Sequence, residues 1–433
     1  MIANMVCRDC FCRLGKWVLP LLLFFVSCER SGVSGGNVGD RKDSLLVDSL
    51  QVDSLPMDEP MVEEDTLHTL RIGFVGDIMV HDYQMEKAYD EKTDSFDFSP
   101  VFKQIQPFLD ANGLLIGNLE TVFAGRDKGR SSKIHGYASF PYFNAPDCFA
   151  TTLAEAGFDL LATANNHTMD CKPEGVVATL NLLDSLGILH HGTSRDSLER
   201  ERLCIVERGG IKVGFCSYTY SLNGVFVPKD KCFMVNEFCK YDSAKVSGLC
   251  ENVRRLRTSG ADFTVAYLHW GTEYQKNPNR YQRRMADSLH HAGCDVVVMS
   301  HPHIIQRMEV LPADDSLPRT LVAYSLGNFV SSQVCRGDIS KDLGMILQVD
   351  VEKRRDSVSI AGVTVVPTCT YWRRDHIGVL PVITAFDTPD SVIDLRPKEK
   401  VRVVEAYDEV MDVLGGDADS LWRVEGDHYR FKW

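Results

Sequence analysis

Short apolar runs with the character of buried strands recur along the chain, and each ends directly in residues able to bind a metal or move a proton. Ile72-Gly73-Phe74-Val75-Gly76 runs into Asp77, Leu114-Leu115-Ile116-Gly117 into Asn118 and Glu120, and Leu160-Leu161-Ala162-Thr163-Ala164 into Asn165, Asn166 and His167. Further on, the run 263–268 ends in His269, 296–300 in His301 and His303, and 321–326 in Gly327-Asn328. Helical patterns lie between them: Val101 to Leu109, Asp147 to Ala156, Pro173 to Leu186 and Arg280 to Ala292, the last two with apolar residues at helical intervals. Pro173 suits a helix start and Gly187 its end. Strand and helix in alternation predict an α/β layered domain. In such sheets the carboxyl ends of the strands share one edge, so polar residues distant in sequence can converge there.

After Asn328 the pattern changes. Met345 to Val351 and Val358 to Val366 alternate like antiparallel strands, with the charged stretch Glu352 to Asp356 as a hairpin loop, and these strands are expected to extend a second sheet packed on the first. Val403 to Leu414 reads as a terminal helix covering part of the core; from about 385 onward there is no chemical signal.

The first residues do not belong to that core. Arg8, Arg13 and Lys16 precede an apolar segment, Trp17 to Val26, too short to span a bilayer as an ordinary helix and with the charge order of a secretory signal. It stops at Val26-Ser27-Cys28, which resembles the lipobox of bacterial lipoproteins. The expectation is a signal peptide over 1–27, lipidated Cys28 as first mature residue, and export to the cell envelope with the lipid as the sole membrane attachment; an ordinary cleaved signal or an uncleaved anchor are the alternatives. Residues 28–69, with repeated Asp-Ser-Leu at Asp43, Asp48 and Asp53 and an acidic run from Asp58 to Asp65, read as a solvated tether. The main domain is placed at 70–335, completed by C-terminal strands and a helix over 336–433.

Of 14 cysteines, Cys7, Cys10 and Cys12 fall in the segment to be removed. The rest are dispersed, without a Cys-x-x-Cys pair, and Cys216 and Cys369 read as small apolar residues in strands rather than as a disulfide framework. The full chain carries a formal charge of −13. An acidic surface argues against nucleic acid as a partner, and a polyanionic substrate would need a local positive centre, which a metal supplies.

Asp77, Glu120, Asn166, His269, His301 and His303 are carboxylates, an amide and imidazoles with no thiolate, a set suited to Mn, Zn or Fe. They exceed what one tetrahedral ion needs, so one or two divalent ions are expected. His167 differs in kind, because Asp170 follows three residues on; if the segment turns into a helix start, Asp170 orients the imidazole and makes it a candidate acid for a leaving group. Asn118, Asn165, Glu273 and Asn328 are expected to line the site.

At these residues the chain resembles the capsule-synthesis CapA family, of poly-γ-glutamate biosynthesis type, whose domain is similar to calcineurin-like metallophosphatases. The stretches that carry the resemblance are Gly76-Asp77-Ile78-Met79, Gly117-Asn118-Leu119-Glu120, Phe143-Asn144-Ala145-Pro146, Asn165-Asn166-His167-Thr168-Met169-Asp170, His269-Trp270-Gly271-Thr272-Glu273-Tyr274, Ser300-His301-Pro302-His303 and Tyr324-Ser325-Leu326-Gly327-Asn328-Phe329. It implies a four-layer α/β/β/α sandwich with the site at the strand ends. It also implies that Asp77 opens the metal site, that Glu120 or Asn118 takes the bridging place, that Asn166, His269, His301 and His303 complete the ligands, and that His167 is the acid. Met79 stands where metallophosphatases usually carry a histidine, with His81 as a possible substitute, and Gly-Asn-Leu-Glu replaces Gly-Asp; both departures argue against ordinary phosphoesterase activity and for one ion rather than two. The leading expectation is metal-assisted hydrolysis or transfer at an amide or ester of an extracellular polymer, whether poly-γ-glutamate or another envelope glycan or peptide. The alternatives are a non-catalytic polymer-binding assembly or export component and an extracytoplasmic phosphoesterase.

Overall fold

The computed structural model describes residues 66–129, 134–238, 243–313, 318–333, 338–387, 395–415, 422–425 and 428–431, all within a unit running from Glu63 to Trp433. The signal segment, Cys28 and most of the acidic tether lie outside the described residues.

Two sheets stack face to face. In the larger, Leu67–Ile78, Leu114–Leu119, Leu160–Ala162 and Leu189–His191 run parallel in that order, and Asn328–Val330 joins the first of them in parallel. In the smaller, Ile211–Thr219, Phe263–His269, Val296–Ser300 and Thr320–Ala323 run parallel, with antiparallel edges at Cys204–Arg208 and Met308–Leu311. The alternation of side chains along these strands builds three apolar layers. Ile72, Phe74, Leu114, Ile116, Val265, Tyr267, Val296 and Val298 fill the space between the sheets. Their neighbours Val75, Leu115 and Leu161 turn the other way, against Phe149 and Leu153 of the helix Asp147–Glu155. Ala266, Leu268, Val297 and Met299 meet Val253 and Leu256 of the helix Ser243–Thr258 and Met285 and Leu289 of the helix Arg280–His291. Strands apolar on both faces are what helix cover on each side requires, and the result is the four-layer α/β/β/α sandwich. Each fully buried Phe or Leu in these layers contributes about 1.5–3 kcal/mol.

The antiparallel strands after residue 340 are longer than their alternation predicts, Leu343–Arg354 and Ser357–Trp372, and the turn between them shrinks to Arg355 and Asp356. They extend the sheet that contains Leu67–Ile78, pairing directly with that strand, followed by Ile377–Pro381, His428–Phe431 and Trp422–Glu425. The terminal helix runs from Pro397 to Gly415. One helical expectation fails: Val101 to Ile105 form successive turns, with amide bonds to the residue three back, and only Gln106–Leu109 is helical. Pro107 explains it, since a proline inside a helix begun at Val101 would lack its amide hydrogen and clash with the preceding turn. The eight cysteines among the described residues are free thiols.

Candidate metal centre

Strand register fixes where the chemistry gathers. Asp77 pairs with Asn118 on one side and Asn328 on the other, at the carboxyl edge of the larger sheet. Thr219, His269 and Ser300 form the matching row in the smaller sheet. The Asp77 segment is pressed against the Gly327 turn: a Cβ on Gly76 would sit 2.0 Å from the Gly327 carbonyl oxygen, which accepts the Asp77 amide at 2.9 Å. Gly327 itself holds φ of +67°, so both glycines are demanded by this close approach.

Across the gap between the sheets the side chains meet. Asp77 Oδ2 lies 3.2 Å from His303 Nδ1, and Asp77 Oδ1 lies 3.8 Å from His269 Nδ1. Glu120 Oε1 lies 3.4 Å from His269 Nε2 and 3.8 Å from His303 Nε2. His301 Nδ1 approaches His269 Nε2 to 3.2 Å. Among the described residues, three sets of donor atoms fall within 4.8 Å of one another: Glu120, His269 and His301; Asp77, Glu120 and His303; and Glu273, His301 and His303. Asp77, Glu120 and His269 are fully buried, whereas Glu273 is exposed at the mouth. His301 and His303 adopt φ of +99° and +58°, backbone strain of about 1–3 kcal/mol each that the loop carries in order to aim both rings inward.

The surrounding groups orient this set. Asn118 Nδ2 donates to Asp77 Oδ1 at 2.8 Å and stands 3.1 Å from His269 Nδ1, which also meets Ser300 Oγ at 3.1 Å. Asn328 Oδ1 takes His303 Nδ1 at 3.0 Å, and its amide donates to the His303 carbonyl at 3.2 Å. Tyr220 OH meets His301 Nε2 at 2.9 Å. Tyr220 and Ser300 escape sequence reasoning because an isolated tyrosine or serine after a strand has no metal-ligand signature; their one signal is position at the same strand edge.

Burial drives the His269 imidazole down to about 3 and the His301 imidazole well below the ordinary range, with neighbouring histidines adding to the effect. Burial also opposes charge on His303, but Glu120, Asp77 and Asn328 outweigh it and lift that ring to about 9. Burial would raise Asp77, yet His303, His269 and Asn118 together hold it below the usual carboxylate range. Glu120 is pushed well up by burial and by Asp77. Both Glu120 carboxylate oxygens, Asn118 Oδ1 and Asn166 Oδ1 are buried without a hydrogen-bond partner. Such orphaned acceptors are costly unless something positive sits among them. Two imidazoles that burial keeps neutral, His269 and His301, with two carboxylates and orphaned amide oxygens fit a divalent cation, for which His303 would have to give up its proton.

His167 stands beside this cluster. Its Nδ1 lies 2.8 Å from Asp170 Oδ2, which also accepts the Phe143 amide at 2.6 Å. The contact forms in a run of tight turns ahead of the helix Lys172–Ser185. Asn165 ties the turn to the sheet, its Nδ2 donating to the Leu119 carbonyl at 2.6 Å and its Oδ1 accepting the His167 amide at 3.1 Å. Asn166 Nδ2 donates to Asn223 Oδ1 at 3.3 Å, and Asn223 Nδ2 lies 3.5 Å from His167 Nε2, so Asn223 is a further site residue without a signal in the sequence. His81 does not join the donor sets found among the described residues; its Nδ1 accepts the Ser332 amide at 3.2 Å. Met79 fills the neighbouring place, buried, with Gln333 Nε2 against its sulfur at 3.8 Å.

Residues 71–333 match the family model described as bacterial capsule synthesis protein PGA_cap. The PGA biosynthesis protein CapA of Bacillus subtilis (strain 168) is 28% identical over 63% of this chain and 66% of its own length. The capsule biosynthesis protein CapA of Bacillus anthracis is 25% identical over 59% of each chain. The chain thus spans less than two thirds of the length of either relative. A hypothetical protein from Thermus thermophilus superposes with a TM-score of 0.38 at 15% identity, over 72% of this chain and 100% of that one, too loose a match to bear on function. With more than half of its residues under the family model, this chain belongs to the bacterial capsule synthesis protein PGA_cap family.

Proposed function

We propose that this is an exported envelope lipoprotein, anchored through Cys28, that hydrolyses or transfers an amide or ester bond of an extracellular polymer such as poly-γ-glutamate. The observation that carries the reading is the convergence of Asp77, Glu120, His269, His301 and His303 with both Glu120 oxygens buried and unpartnered. These five residues, with Asn166, would hold one or two divalent ions of Mn, Zn or Fe type. A bound ion supplies Lewis-acid polarisation of the scissile group and activation of water.

The chain's own residues supply the rest. Asp170 fixes the His167 ring by its Nδ1, leaving Nε2 as the atom that delivers a proton to the departing nitrogen or oxygen. Asn118, Ser300 and Asn328 hold His269 and His303 in the ring orientations that turn a nitrogen of each toward Glu120. Burial of Asp77, Glu120 and His269 keeps bulk water from the floor of the centre, while exposed Glu273 and Asn223 border its open side. The relatives' printed roles in capsule and poly-γ-glutamate biosynthesis support the polymer as substrate.

The test is metal analysis of protein beginning at Gly36, beside His269→Ala and His301→Ala, each assayed on poly-γ-glutamate, peptidoglycan fragments and a generic phosphate ester. Stoichiometric metal lost in both variants together with one of the polymer activities is the expected result. Metal-free wild type that still binds polymer would select an assembly or export component instead, and loss of phosphate-ester turnover alone would select a phosphoesterase.

A further inference from the structure

Beside the centre lies a cavity of about 290 Å³ between the strand Ser357–Trp372 and the helix Pro397–Gly415. Apart from Gln333, every residue lining it falls beyond the stretch matched by the family model. Arg396, Lys398 and Arg402 line it against two carboxylates, Asp342 and Glu399. Glu399, almost fully buried, is shared: its oxygens accept from Arg373 Nη1 at 2.5 Å and from Arg396 Nε at 3.0 Å. Asp342 pairs with Arg402, whose Nε is buried without a partner. Thr370 also lines the cavity, 1% exposed, with its hydroxyl oxygen unpartnered. The cavity's cations exceed its carboxylates by one, Arg396 being engaged by Glu399 and the Trp372 carbonyl while Arg402 Nε keeps an unpartnered donor, a local positive balance in a chain of formal charge −13 whose overall field repels polyanions.

The cavity is joined to the metal centre by side chains. Gln333, on its wall, takes a contact from Asn328 Nδ2 at 3.5 Å, and Asn328 Oδ1 meets His303 Nδ1. An occupant therefore lies two residues from a proposed ligand. The guanidinium fork matches planar carboxylates and also phosphate, so the shared chemistry is an oxyanion carried on a chain. Building on the function proposed above, we propose that this cavity is a subsite for an acidic polymer, seating a side-chain carboxylate on Arg396, Lys398 and Arg402 while the adjoining bond reaches the metal centre.

Fluorescence anisotropy with labelled poly-γ-glutamate fragments tests it, using the chain from Gly36, Arg396→Gln/Lys398→Gln and, separately, Arg402→Gln, with metal content and melting temperature measured on each. Because Arg396 also bonds the buried Glu399 and the Trp372 carbonyl, Lys398→Gln alone is added as the variant that removes an exposed cation without touching that network. Expected are binding that weakens with salt, at least a tenfold loss in the double variant with unchanged metal content, and no binding of neutral dextran. Equal affinity of wild type and double variant overturns the subsite, as does tighter binding of inorganic polyphosphate than of poly-γ-glutamate. His301→Ala separates the two proposals. Arginine-dependent binding retained in His301→Ala is expected if the subsite stands apart from the metal; a wild type that binds through the arginines but holds no metal would sink the catalytic reading and leave the subsite standing, and metal-dependent cleavage indifferent to the arginines would do the reverse.

Discussion

Two buried carboxylates sit at opposite ends of the same layered core. Asp295 precedes the strand Val296–Ser300, at its amino end, and the chain satisfies it: Arg257 Nη2 at 2.5 Å, the Thr264 amide at 2.7 Å and the Thr264 hydroxyl at 2.9 Å. Glu120 lies at the carboxyl edge, and neither of its oxygens has a hydrogen-bond partner. A buried charge completed by its own chain serves the fold, and one left incomplete is arranged for something from outside. The amino edge holds the sandwich together, and the carboxyl edge stores unmet valence.

The largest expected effect attacks the incomplete side. His269→Ala and His301→Ala should each lower metal affinity by at least about a hundredfold, since even outer partners of metal ligands cost 10–100-fold. Titration with Mn and Zn checks this, and retained affinity would place the ion elsewhere. Next, Asp170→Asn should cut turnover by about 10²–10⁴-fold with metal content unchanged, because His167 loses the carboxylate that fixes its ring. A turnover loss matched by metal loss would instead make Asp170 part of the metal site.

The carboxylates themselves give the sharpest contrast. Asp295→Ala should cost about 3 kcal/mol, the low end for a broken buried pair because Arg257 is a third exposed, and should leave metal binding intact. Glu120→Gln should abolish tight metal binding while leaving the metal-free melting temperature nearly unchanged, since burial and Asp77 already favour the neutral carboxyl there and neither of its oxygens has a hydrogen bond to lose. Equal destabilisation of both variants would erase the distinction.

His191 refines it at the smallest scale. It ends a parallel strand at the same carboxyl edge, yet its Nδ1 accepts the Ser217 amide at 3.1 Å, and burial, with Arg200, lowers its pKa to about 3. A folded value below the ordinary 6.5 favours the neutral ring, so its contribution is complete above pH ~6.5 and fades as pH falls from there toward 3. Melting temperature of His191→Gln against pH should lose that acid slope with metal content unchanged; an unchanged slope would assign it to other groups.

Much of this was legible because local patterns carried it. Apolar runs ending in Asp77, His269 and His301 announce both the strands and the edge where they meet, whereas the close approach of Gly76 to Gly327 comes to light only in the fold. The reach of Asp170 to His167 follows from three-residue spacing, although turns rather than a helix deliver it. What stayed hidden depends on tertiary pairing. Tyr220 and Asn223 act only because the loop after the strand Ile211–Thr219 folds over the centre. The basic cavity joins Arg396 and Arg402 to Thr370 across a helix and a strand that no sequence interval relates. The hairpin strands from Leu343 show their alternation plainly, but their choice of the sheet beside Leu67–Ile78 is set by pairing partners far away in the chain.

Anomalous diffraction from crystals of the chain from Gly36 grown with Mn tests the central claim most directly. A peak bonded to Glu120 and to at least one of His269, His301 and His303 is the predicted result. Full Mn occupancy at any other place, with Glu120 still unpartnered, would contradict it.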